Sequence, residues 1–270
     1  MKRTKMSKKK IDKVLFLIII GFVGILLIEI FQNSIFSKGV RGELWYSIVT
    51  RYLGSLICIL VIYKYSAKRL LYNIPRACSL PLFAACMVIS INNFPFYAYL
   101  SGEAYINEGV WEIILFAVMC LGVGLFEELA FRGCVFTLIL RNRRRNSKDV
   151  FYAILLSSAV FGLIHLTNLF AGASPGSVFL QIGYSFLIGG MCSVVLIKTG
   201  NIFFPAIIHG VYNFAGTIVP TLGGGEMVNL PNIIVTSILA LAVAAYVVVE
   251  LVRFDVRSLD LIFEEKSRRE

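Results

Sequence analysis

Apolar residues run along the chain in long stretches separated by short polar pieces, with little of the alternation that marks half-buried strands. Runs of about 17 to 25 residues suit a helix crossing ~30 Å of hydrocarbon at 1.5 Å per residue. On that criterion the pattern predicts eight spans, at roughly 14–31, 45–63, 79–95, 110–140, 150–170, 178–197, 203–219 and 231–252. The fourth run is too long for one simple crossing. It is expected to continue past the membrane face or to break near Arg132-Gly133, because Gly costs ~1 kcal/mol of helix preference. The predicted fold class is an all-α, polytopic integral membrane helical bundle. Three regions follow: 1–109, a basic arm and three spans without a motif; 110–220, which carries the polar motifs; and 221–270, the last span and a tail. Gly223-Gly224-Gly225-Glu226 reads as a flexible loop.

Composition narrows the class. Residues are 58% hydrophobic and 16% charged, against roughly 25% charged in soluble domains, which excludes an ordinary soluble fold. The net charge of +10 is carried by tails and loops. With the N-terminus inside, 22 of the 26 basic residues are cytoplasmic and only Lys38 and Arg41 are outside, so both termini are predicted to be cytoplasmic. The expected partner of this charge is the lipid bilayer, and no nucleic acid is expected. Val14–Phe31 follows seven basic residues as a signal peptide would, but it lacks a small-residue cleavage site and is read as a retained first span. The six cysteines lie in or beside spans with no C-x-x-C pair, so neither a disulfide framework nor structural zinc is indicated. The expected location is the cell membrane, and the Lys- and Ile-rich chain points to a bacterial plasma membrane.

A charge at mid-bilayer costs at least ~2.5 kcal/mol, so each one requires a reason. Glu127, Glu128, Arg132, His165 and His209 form the polar core of the predicted spans, with Glu29 and Arg51 as outliers expected to snorkel or to pair with each other. Glu128 and Arg132 stand four residues apart on one helix face and can neutralise each other. Glu127 points about 100° away, with no basic neighbour in its own helix, as a general base or acid requires. Counted from the connecting loop, Glu127 and His165 lie at ~20 and ~22 Å, the same level in an antiparallel hairpin. His209, about six residues beyond the start of the seventh span, is placed shallower unless that helix starts deeper.

The residue types limit the chemistry of such a cluster. There is no pair of membrane aspartates, no H-E-x-x-H and no G-x-S-x-G. What remains is a carboxylate and an imidazole activating water, with a second imidazole and an amide available to a tetrahedral oxyanion. Three motifs occur in order: Glu127-Glu128-x-x-x-Arg132, Phe161-x-x-x-His165 and His209-x-x-x-Asn213. Together they resemble the CAAX protease and bacteriocin-processing (Abi) superfamily of intramembrane endopeptidases over about residues 110–220. The resemblance implies that Glu127 and His165 activate the hydrolytic water and that His209 and Asn213 form the oxyanion site. Glu128 and Arg132 match the remaining motif positions and, by the ion-pair argument, are structural support.

That superfamily was long described as metallopeptidases, and Glu127, His165 and His209 could in principle ligate zinc. The expectation here is a metal-free glutamate mechanism without a cofactor. The substrate implied is a membrane-associated peptide or protein. Eukaryotic members cleave the last three residues from prenylated CAAX proteins, while bacterial members are linked to bacteriocin processing, self-immunity and regulation of surface or sensor proteins. Two readings from other classes remain beside it. One is a non-catalytic regulator or immunity protein that binds a membrane partner such as a sensor. The other is a proton-coupled transporter, disfavoured by the lack of a visible inverted repeat.

Overall fold

The computed structural model describes residues 20–21, 23–25, 27–28, 31, 35–65, 67–142, 146–170, 172–227 and 229–263. Most of the predicted first span, Glu29 with its proposed pairing to Arg51, and the basic residues Arg143, Arg144 and Arg145 lie outside the described residues.

The principal elements are α1 (Val40–Tyr65), α2 (Leu80–Asn92), α3 (Phe96–Leu100), β1 (Ala104–Ile106), α4 (Val110–Glu128), a π-helical stretch Leu129–Phe136 running into α5 (Thr137–Asn142), α6 (Ser147–Leu163), α7 (Pro175–Thr199), α8 (Phe203–Leu222), β2 (Gly223–Gly225) and α9 (Leu230–Val252). Among the described residues, five helices are long and apolar enough to cross a membrane: Val40–Lys64, Val110–Arg141, Ser147–Leu169, Pro175–Thr199 and Leu230–Val252. The protein is thus an all-α membrane bundle. The third predicted run forms only a shorter apolar helix, Ala77–Asn92. The seventh is α8, helical throughout but punctuated by Pro205, His209, Asn213 and Pro220.

Local chemistry explains the helix limits. Asn146, Ser174 and Asn229 each accept a hydrogen bond from the backbone N–H three residues on, at the starts of α6, α7 and α9. Pro175 and Pro231 occupy the first turns of α7 and α9, where no N–H is needed. Gly200 ends α7 at φ 65°, the left-handed conformation that favours glycine.

The fourth span does not break at Arg132-Gly133. Its backbone widens to π spacing over Leu129–Phe136 and returns to α at Thr137, so the extra residue is absorbed without interrupting the helix. Gly223–Gly225 is likewise not a free loop. It pairs antiparallel with β1, Ala104 opposite Gly225 and Ile106 opposite Gly223, a partner too distant in sequence for a local signal.

Two close approaches position the polar residues. A Cβ on Gly124 of α4 would stand 2.6 Å from the Ala206 carbonyl oxygen of α8, and one on Gly210 would stand 3.0 Å from the Leu121 Cα. Glycine at both places lets the two backbones touch. The α7–α8 turn is itself internal, with Thr199 and Ile202 fully buried. Asn201 Nδ2 donates to the Asn73 carbonyl at 2.7 Å, and the Ile202 N–H donates to the Leu70 carbonyl at 3.0 Å. Arg69 ties this cover to the end of the chain by donating to the Asp260 carbonyl at 2.9 Å. Because α8 starts beneath this layer, the span-counting estimate that put His209 shallow is corrected, and His209 comes to the level of Glu127 and Glu128. Arg51 lies with its guanidinium 5.5 Å from the centre of the Phe126 ring.

Candidate active site

The motif residues converge from three elements. The end of α4 and the π stretch bring Glu127, Glu128 and Arg132, the end of α6 and the 3₁₀ turn after it bring Phe161 and His165, and α8 brings His209 and Asn213. Glu127, Phe161, His165, His209 and Asn213 all line one cavity of about 160 Å³.

Glu128 is fully buried and holds two cationic or polar partners through one oxygen. Its Oε1 is 3.0 Å from Arg132 Nη1 and accepts from His209 Nδ1 at 2.9 Å. The Arg132 contact is close in distance but not aligned as a hydrogen bond. All three guanidinium nitrogens, and Glu128 Oε2, have no hydrogen-bond partner among the described residues. Arg132 instead stacks on Phe161, with Cζ 4.3 Å from the ring centre, which partly replaces lost hydration of the cation. Phe161 also presents its ring to His165 and His209 at centroid distances of 5.3 and 5.6 Å, both near-perpendicular. One aromatic side chain therefore fixes the spacing of three motif residues.

The imidazole bonds determine proton positions. A carbonyl can only accept, so the 3.0 Å contact between His165 Nδ1 and the Phe161 carbonyl places a proton on Nδ1 and leaves Nε2 for other work. His209 Nδ1 is hydrogen-bonded to Glu128 Oε1, the imidazole donating where that oxygen belongs to a carboxylate, and its Nε2 faces Glu127 Oε2 at 3.5 Å. Glu127, which the resemblance pairs with His165, thus makes its described ionic contact with His209, while sharing the cavity with both. Among the described residues no group of three or more His, Cys, Asp and Glu is arranged to hold a metal ion.

Sequence reasoning missed several residues of the cavity wall. Gln181, Tyr184, Ser185 and Ile188 from α7, with Tyr212 and Thr217 from α8 and Val123 from α4, complete the lining. Gln181 is held by Asn168, whose Nδ2 donates to its Oε1 at 2.7 Å. Gln181 and Tyr184 stand three residues apart on one face of an apolar helix, a spacing visible in the sequence but attached to no motif.

The fold and cavity define a helical membrane protein with paired acidic and imidazole groups on a small internal chamber. Residues 109–215 match the family model described as Rce1-like, type II CAAX prenyl endopeptidase Rce1-like. The matched segment contains all three motifs and agrees with the resemblance drawn from them. No curated protein and no solved structure matches the chain.

Proposed function

We propose that the protein is an intramembrane endopeptidase in which Glu127 and His165 activate a water for attack on a peptide carbonyl. The observation that supports this reading best is the shared cavity of Glu127, His165, His209 and Asn213, within the segment that matches an endopeptidase family. His165 keeps its Nε2 available, and Glu127 is the carboxylate on the cavity without an arginine partner. As water attacks, its proton passes to this pair and then to the leaving amine. His209 and Asn213 stabilise the tetrahedral oxyanion, His209 from Nε2 and Asn213 from its amide.

Charge balance favours this division of roles. Two carboxylates, Glu128 buried and Glu127 half-buried, face one arginine, and His209 bridges them, bonded through Nδ1 to Glu128 and directed through Nε2 toward Glu127. Glu128 and Arg132 then act on structure and on His209 rather than on the reacting atoms. The site is set in a bundle of eight spans with both termini cytoplasmic, in a bacterial plasma membrane, and the substrate is a membrane-associated peptide or protein. The test is to incubate purified protein in proteoliposomes with a farnesylated CAAX peptide and a panel of unmodified apolar peptides, with and without a chelator. The reading predicts a new C-terminal fragment by mass spectrometry that a chelator leaves undiminished. Loss of cleavage on chelation with recovery on added zinc would overturn the metal-free mechanism, and no cleavage of any peptide would contradict the enzyme.

A further inference from the structure

A second, larger cavity of about 380 Å³ lies beside the catalytic chamber, within the roughly 300–1,000 Å³ range of small-molecule sites. It is a groove between α6, α7 and α9, closed by Ile89 and Asn93 of the α2 side and by Tyr212 of α8. Its walls are aliphatic almost throughout, including Ile154, Leu187, Met191, Val194, Val243 and Val247. The α9 wall is lightly held, since Val243 is the one buried residue of that helix. Tyr184, Ile188 and Tyr212 belong to both cavities, and the two tyrosine rings stand 6.2 Å apart. These three side chains are the partition between groove and chamber.

One polar group breaks the apolar lining in an unusual way. Ser158 is 1% exposed, lines the groove, and its Oγ has no hydrogen-bond partner among the described residues. Four other buried helical hydroxyls satisfy themselves on the preceding turn: Ser55 on the Arg51 carbonyl, Ser90 on Cys86, Ser193 on Gly189 and Thr199 on Val195, at 2.8 to 2.9 Å. Ser158 does not. The α7 backbone beside it carries no side chains at Gly189 and Gly190. A Cβ at Gly189 would stand 3.2 Å from Ser158 Oγ and 2.8 Å from Arg132 Nη2, whereas one at Gly190 would be 3.9 Å from Ser158 Oγ.

We propose that this groove binds a neutral membrane lipid, a hydrocarbon chain bearing an uncharged hydroxyl or carbonyl oxygen that hydrogen-bonds Ser158. Two observations select that chemistry. The lining holds no Lys, Arg, Asp, Glu or His to pair a charged head, and Ser158 lies about 16 Å along α6 from Ser147, roughly half of a ~30 Å hydrocarbon core, where an ionic headgroup would be costly but a neutral oxygen is tolerated. The bound lipid packs on Tyr184, Ile188 and Tyr212 and so bears on the wall of the catalytic chamber. The site requires no catalysis and is distinct from the peptide position proposed above.

The probe is hexadecanol carrying a photoactivatable diazirine in its chain, irradiated with the intact protein in proteoliposomes and mapped by mass spectrometry. Labelling is expected on α7 and α9 residues of the groove, competed by unlabelled hexadecanol and not by added phosphatidylglycerol. Ser158→Ala should weaken labelling about two- to tenfold, the range for one lost hydrogen bond. Gly190→Leu, where the Cβ meets only an ordinary contact, should fill the groove and abolish labelling while the melting temperature is retained. Ala240→Phe fills it from α9 and guards against a folding defect in the first variant. Labelling unchanged in both filled variants would show non-specific lipid contact and overturn the proposal. Competition by a farnesylated peptide but not by hexadecanol would overturn it too, by giving the groove to a substrate's own lipid.

Discussion

Glu128 meets Arg132 and His209 through the same oxygen, whereas Glu127 meets only the far nitrogen of His209 on the cavity side. Adjacent residues with the same carboxylate therefore have separable consequences. Glu127→Gln keeps size and most hydrogen bonding but removes the base, and cleavage should fall by roughly 10² to 10⁴ with membrane abundance unchanged. Asn213→Ala removes the proposed oxyanion donor and should cost about 10² to 10³ in kcat. Since both act in one step, the double variant should lose much less than the product of the two, as steady-state kinetics of the four proteins will show. Arg132→Ala belongs to another class. It strands Glu128 beside His209 in a dry site, at roughly 3 to 5 kcal/mol, and is expected to reduce folded protein in membranes, measured by quantitative immunoblot and fluorescence-detected size exclusion.

At the scale of elements, the closest constraint is the α4–α8 contact. Gly124→Val would drive a side chain against the Ala206 carbonyl and the Gly210 backbone, neither of which is a flexible side-chain end. A stability loss of about 1 to 3 kcal/mol is expected from such overpacking, seen as a lower melting temperature with lost cleavage, because α8 carries His209 and Asn213. How far the elements were legible in the sequence depended on how local their causes are. The spacing of Glu128 and Arg132 is a property of one helix, and the pair remains at 3.0 Å although the π stretch begins at Leu129. The position of His209 was misread because counting from the start of an apolar run assumes that a helix begins at the membrane face, while α8 begins under residues 67–73. The strand at Gly223–Gly225 depends on Ala104–Ile106, and the cavity roles of Gln181 and Tyr184 depend on which face of α7 turns toward α6 and α8. None of these long-range facts has a local sequence signal.

At the scale of the whole molecule, the described residues hold five long apolar helices and a cavity lined by Glu127, His165, His209 and Asn213, the setting that the proposed hydrolysis requires. A span number of eight puts both termini on one face, which the excess of basic residues in the tails and their companion loops assigns to the cytoplasm under the proposed topology. Epitope tags at the two ends should be protected together in intact cells and exposed together after permeabilisation, and tags on opposite faces would require an odd number. Glu127 is proposed to support peptide hydrolysis within this bundle. The most direct measurement compares wild-type protein and Glu127→Gln, reconstituted at equal abundance, for cleavage of a peptide that the wild-type protein cuts. Cleavage should fall by roughly 10² or more in the variant, with retained binding of the uncut peptide. Equal cleavage by the two proteins would contradict it.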